Sequence, residues 1–231
     1  VGMRGLNAAP YGKGWGTMSV DPAFVSEFKS GDTRRSASII DWEAEGITSL
    51  AAFGDTYRDQ REYTGYTIKK YSPLCYADGT SASKEDGSGD FQLSNHQDYV
   101  IMRYADVLLM AAELGSPKAQ EYFDEVRKRA YTSEGTLSAN YSQLPVTKEN
   151  IMQERRLEFA FESINYWDLL RQGVDYAASK LALSEKQVYS GGIVDFITIS
   201  ADRIRTTKGL SQIPYNQITL SNGTLVQNAG W

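Results

Sequence analysis

The run Glu154-Arg155-Arg156-Leu157-Glu158-Phe159-Ala160-Phe161-Glu162 sets charged residues among bulky apolar ones without leaving one clean apolar face. Wound as a helix, it puts Glu154, Arg155, Glu158 and Glu162 on the same side as Phe159. Some of these charges must then be at least partly buried, and a buried charge without a partner costs several kcal/mol. The charges therefore need one another, or groups from elsewhere in the chain. The expected ion network is Arg103, Asp106, Glu154, Arg155, Glu158, Asp168 and Arg171. Glu154 and Glu158 could act as an acid/base pair or as structural ions tying helices together. Neighbouring arginines neutralise carboxylates rather than raise their pKa, which favours the structural role.

Working outward, Thr147 is placed to cap this helix, which is expected to run through Glu162, and Asn165 to cap a short helix ending near Gly173. Upstream, from Asp98, one apolar stripe holds Val100, Tyr104, Val107, Leu108 and Ala111. A second holds Ile101, Ala105, Leu109 and Ala112, so a mostly buried helix is expected. Ser116-Pro117 opens a further helix with the stripe Ala119, Tyr122, Phe123, Val126 and Ala130. Its outer face offers Asp124 with Lys128 and Glu125 with Arg129 as i,i+4 pairs. One more helix is expected near 175–183, and an irregular tail beyond it.

The first part of the chain reads differently. Residues 1–20 carry five glycines around Pro10, Tyr11 and Trp15 with no helical or strand period, an aromatic-bearing loop. Asp21-Pro22 is a cap-and-proline helix start, with a short helix expected to Ser30. Ile39-Ile40, Trp42 and the stretch from Tyr63 to Tyr71 are rich in aromatic and β-branched residues and read as short strands. Residues 78–90 are Gly, Ser and acidic residues, a surface loop by composition. The chain is thus expected to be mainly α, one domain of an aromatic loop and short-strand region (1–97), a helical region (98–185) and an irregular tail (186–231).

Composition removes several function classes. The 231 residues carry a formal net charge of −5 with both signs interleaved, which argues against nucleic acid as a partner. A single cysteine, Cys75, allows no intrachain disulfide and no cysteine-rich metal site. No stretch approaches the ~18 consecutive apolar residues of a membrane-spanning helix. His96 is the sole histidine, and its neighbours Ser94 and Asp98 cannot by themselves form a spatial triad. The acidic loop lacks the ligand spacing of an EF-hand, so a calcium site there is disfavoured. No cofactor or metal is expected, and the protein is expected not to be an enzyme.

Several segments resemble the motifs of one family. Met102 to Glu113 resembles the "RYAEvLLmyAEA" helix of the SusD/RagB family, and Asp124 to Ala130 its "iNxVRxRA" segment. The run Ile151 to Gly173, with Tyr166-Trp167-Asp168-Leu169-Leu170-Arg171, resembles "ERRxElafEgxRyxDLxRwG". Ile213-Pro214 and Gln227-Asn228-Ala229-Gly230-Trp231 resemble the terminal "PIP" and "QNPGY", with Ala229 and Trp231 as departures. Phe28 with Asp32-Thr33-Arg34-Arg35 resembles "aFxxxDxRr". The motifs keep the family's order over nearly the whole chain.

The resemblance implies a SusD-like helical fold with long loops and a few short strands. It implies a surface-exposed lipoprotein of the outer membrane, tethered by a lipid anchor upstream of this chain. It further implies that the protein holds a glycan, or sometimes a peptide, for a SusC-like TonB-dependent barrel. Family members are about twice as long, so the sequence looks like a carboxy-terminal portion or a short member. Two other functions are weighed beside glycan binding. One is a docking module for the transporter without ligand contact, the other a glycoside hydrolase with paired carboxylates.

A glycan site needs exposed aromatic platforms beside amide, carboxylate or guanidinium groups. Tyr11 and Trp15 are the first candidates, followed by Trp42, Tyr57 and Tyr63. Each could instead be a buried anchor, because large aromatic residues usually are. Trp167, inside the signature helix, is expected in the core.

Overall fold

The computed structural model describes residues 2–5, 7–16, 18–47, 62–82, 98–190 and 193–231. The chain divides into two compact units, residues 1–162 with 188–195 and residues 163–187 with 196–231. Helices carry both, and among the described residues every sheet has only two strands. No described helix is long and apolar enough to cross a membrane.

In the first unit β1 (Met3–Arg4) pairs in parallel with β2 (Lys13–Gly14). Helix α1 (Pro22–Val25) starts as read, with the Asp21 carboxylate accepting from the Ala23 N–H. It ends well before Ser30, because the Ser26 hydroxyl bonds back to the Ala23 carbonyl and the chain turns. Helix α2 (Arg34–Ser38) runs into β3 (Ile39–Asp41), which pairs antiparallel with β4 (Tyr66–Ile68). Successive strand residues face opposite sides. Ile40 therefore enters a core of Met3, Ala8, Tyr11, Trp42 and Ile47, while Ile39 enters another of Val20, Val25, Phe28, Ile68, Leu157 and Ala160.

Helix α3 (Tyr104–Glu113) and helix α4 (Ala119–Ala130) pack as a pair, turning at Gly115 in a left-handed conformation that glycine takes without strain. Helix α4 starts two residues later than Pro117, after a turn in which the Ser116 hydroxyl accepts from the Lys118 N–H. Its buried stripe is Phe123, Val126 and Ala130, as its periodicity predicts. The expectation for α3 is corrected. Leu108, Leu109 and Ala112 are buried, whereas Tyr104 and Val107 are exposed, and Ile101 and Met102 lie outside the helix in the open.

After the strand pair β5 (Thr132–Ser133) and β6 (Thr136–Leu137), Thr147 caps α5 (Lys148–Glu158) by accepting from the Asn150 N–H at 3.2 Å. Helix α5 stops four residues short of Glu162. Phe161 and Ser163 take positive φ, and the Phe161 ring meets Phe24 edge-on at 5.7 Å.

The second unit holds α6 (Asn165–Arg171) and α7 (Val174–Leu181), which pack together. Asn165 is the first helical residue rather than the cap. The segment expected to be irregular instead carries structure. Strand β7 (Leu183–Ser190) pairs with β8 (Ile193–Ile199) in a hairpin whose residues 188–195 count with the first unit, and α8 (Ala201–Thr207) and α9 (Tyr215–Leu220) follow in the second. Gln227 bonds both the N–H and the carbonyl of Ile213, and Trp231 donates to the Leu210 carbonyl beneath Arg203, 4.1 Å from its ring. Trp167 is 63% exposed, contrary to its expected place in the core, because α6 turns Asp168 and Leu169 inward.

Candidate functional site

Two regions of the first unit concentrate the groups with chemical potential. The first is an ionic seam along α5. Glu154 and Glu158 lie one helical turn apart on one face, and their carboxylates are buried to within 2% of full burial. Arg34, delivered by α2, donates to Glu154 at 2.6 Å and Glu158 at 3.3 Å, and forks onto Asp32 through Nε and Nη2. Arg127 of α4 reaches the other oxygen of Glu154 at 3.0 Å, and Arg129 reaches Glu158. Arg103, just before α3, bridges Glu158 at 2.7 Å and Glu162 at 2.9 Å, and Lys70 completes Glu162 at 2.7 Å. Arg155 points elsewhere and pairs with Asp106 at 2.6 Å.

Burial alone would raise the Glu158 pKa. The hydrogen bond from Arg103 and the fields of Arg129, Arg103 and Arg34 overcome it and hold the carboxyl below its usual range. Burial likewise opposes the charge on Arg34, and the Asp32 bond with the fields of Glu154, Asp32 and Glu158 outweighs it, so its pKa rises. A general acid needs a carboxyl held above the usual range, so Glu158 is built the opposite way.

Of the seven residues expected in the network, Arg103, Glu154 and Glu158 meet in the seam. Arg155 and Asp106 form their own pair. Asp168 and Arg171 belong to the second unit and pair with each other at 2.9 Å. Sequence reasoning missed Asp32, Arg34, Lys70, Arg127 and Arg129 as members, and grouped Glu162 with the helix's charges without naming it in the network. Asp32, Arg34 and Arg127 stood in recognised motifs without an assigned partner, which was the available signal, whereas Arg129 had been given Glu125. The expected outer-face pairs of α4 do not form as read: Arg129 turns to Glu158, and Asp124 is buried under Gln120 and Gln143.

The second region is the aromatic loop. Backbone bonds lace segment 7–16 to segment 72–82, from Gly12 to the Pro73 carbonyl and from Cys75 to the Pro10 carbonyl. Gly12 permits this approach, since a Cβ there would stand 3.2 Å from the Leu74 oxygen. Tyr11 is 4% exposed, and its hydroxyl donates to Glu45 at 2.5 Å. Burial and that carboxylate push the phenol pKa above its ordinary value. Trp42, 1% exposed, donates to the Thr67 hydroxyl at 2.8 Å.

Neither ring can meet a sugar face, and both are corrected to core anchors, drawn in by the β3–β4 ladder and the loop's own lacing. Tyr63 is half-buried, edge-on to Trp42 at 5.2 Å. Tyr57 and His96 lie outside the described residues. Trp15 is 57% exposed, and on the neighbouring segment Tyr76, which sequence reasoning missed, is 54% exposed. Asn7 bonds the Gly79 carbonyl at 3.0 Å, and Asp78 accepts from the N–H and hydroxyl of Thr80, which hold its carboxyl below the usual range. Exposed rings thus stand on segments that also carry ordered amide and carboxylate groups. No group of three or more metal-ligating side chains occurs among the described residues.

Comparison with known proteins identifies the family. Residues 43–231 match the SusD family. The chain belongs to it. The SusD-like protein P2 of Formosa agariphila is 27% identical over 183 residues, covering 74% of this chain and 34% of that protein. Among solved structures, the chain is similar to the surface glycan-binding protein A of Bacteroides thetaiotaomicron in complex with laminarihexaose. The identity is 29% and the TM-score 0.71, over 95% of this chain and 43% of that one. It is also similar to a laminarin-binding SusD-like protein, with 25% identity and a TM-score of 0.65 over all of this chain and 43% of the other. The chain therefore spans about a third of its SusD-like relative and about two fifths of each structural neighbour.

Proposed function

We propose that this SusD-family chain binds a glycan without transforming it, and that the ligand is a laminarin-type glucan. The likeness to a surface glycan-binding protein whose structure holds laminarihexaose carries this reading. The physical support is local. A pyranose presents a C–H face and a rim of hydroxyls, and Trp15 offers an open ring on a segment laced to amide and carboxylate groups. Tyr76 is a second open ring on the partner segment. Family membership extends the reading to a surface-exposed lipoprotein of the outer membrane that passes its glycan to a SusC-like TonB-dependent barrel.

Affinity electrophoresis of the chain through gels containing laminarin tests the ligand. Retardation is expected, with Trp15→Ala weakening it about tenfold, as loss of one aromatic stacking contact of ~1.5 kcal/mol implies. Absence of retardation for the intact chain would overturn the reading. The exposed apolar residues Ile101, Tyr104 and Leu114 on and beside α3 favour the alternative of a docking module. That alternative gains if the barrel binds the chain and the glucan does not.

A further inference from the structure

A cavity of about 450 Å³ opens beside the seam and is separate from the Trp15 surface. Its size falls in the ~300–1,000 Å³ range of small-molecule sites. Arg34, Lys70, Arg103 and Arg129 face it with Glu158, Glu162 and Asp98. With Asp32, Glu154 and Arg127 behind them, the charges are five positive and five negative. A free anion or cation would therefore find no net field to favour it.

Two groups at the cavity keep unused bonding capacity. Arg129, 59% exposed, spends only its Nη2 edge on Glu158, leaving donors free. Asp98 is exposed and has no partner among the described residues. One offers donors and the other acceptors, the two halves of what a hydroxyl needs. Apolar lining comes from Val100 and Tyr71, whose ring Tyr99 meets at 6.2 Å. Tyr71 has φ of 63°, a left-handed conformation that an aromatic residue rarely adopts.

We propose that this cavity is a second sugar site that takes a single neutral pyranose, with Asp98 accepting from one hydroxyl, Arg129 donating to a neighbour, and Tyr71 against the C–H face. The choice of glucose as probe rests on the glucan reading above. The site itself rests on the cavity.

Calorimetric titration of the 231-residue chain with glucose, glucuronate and glucosamine tests it. Glucose should saturate, and each charged analogue should bind at least tenfold more weakly. Asp98→Ala and Arg129→Gln should each weaken glucose about tenfold. Asp98 is exposed and outside the seam, so its variant should melt with the parent, which keeps the comparison clean. The proposal is overturned if glucose does not saturate, if either charged analogue binds better, or if Asp98→Ala has no effect. Laminarin retained with glucose lost sinks this site and spares the glucan reading, and the converse spares the site alone.

Discussion

The seam along α5 and the loop bearing Trp15 invert the usual arrangement of a globular protein. The seam is made of charges and is buried, while the loop displays large aromatic rings and leaves two of them open. Polarity does not sort these residues; what packs over each of them does. Glu158 is enclosed because three guanidinium groups converge on it from separate elements, and Trp42 because Thr67 takes its indole N–H. Trp15, just past β2, keeps 57% of its surface exposed. A buried charge cluster with its partners in place is a clamp, and an open ring on a laced loop is a surface on which a ligand can stack.

The sharpest way to break this contrast is at Arg34, which touches Asp32, Glu154 and Glu158 while almost wholly buried. Arg34→Met would fill similar volume and leave three enclosed carboxylates short of a counter-charge. Removing one partner of a buried ion group costs about 3–5 kcal/mol, and a loss of that size is expected in urea unfolding. A loss under about 1 kcal/mol would mean the seam is not the clamp described.

Acid provides a smaller and graded test. Glu158 has its folded-state pKa depressed below the ordinary 4.5, so its contribution is fully present above that value and is lost as pH falls through the folded one. The urea midpoint should stay level from neutral pH to about 5 and then fall below ~4.5. In Glu158→Gln the acid loss should be shallower. A midpoint that begins to fall above pH 6, or an unchanged acid slope in the variant, would contradict the assignment.

The regular parts of this architecture are legible in the sequence because they are local. Asp21-Pro22 and Thr147 start their helices where a side-chain oxygen can meet a free N–H, and the stripe of Phe123, Val126 and Ala130 is buried as its spacing requires. The partners in the seam are not legible, since Arg34 and Glu154 are 120 residues apart and no periodicity within α5 says which segment will arrive. Aromatic burial is nonlocal for the same reason. Tyr11 and Trp15 sit four residues apart in one glycine-rich stretch, yet only Tyr11 meets Glu45 and the β3 core. Trp167 and Tyr104 show the opposite error: apolar residues on short helices read as core although only one face of each helix is covered.

The finest distinction lies within the seam. Arg34 and Arg129 donate to the same residue, Glu158, but the Arg34 side chain is 7% exposed and that of Arg129 is 59% exposed. An ion pair whose cation stands largely in water gains little over hydration and is screened by salt, so its worth is typically ~0.2–1 kcal/mol. Glu158 keeps Arg34 and Arg103 when Arg129 is removed, so no enclosed charge is stranded. Arg129→Gln should therefore lower unfolding stability by less than about 1 kcal/mol, and raising salt should shrink the difference. A loss approaching that of Arg34→Met would mean that Arg129 is clamped as firmly as the buried arginine. It would then have no spare donors to offer at the cavity mouth.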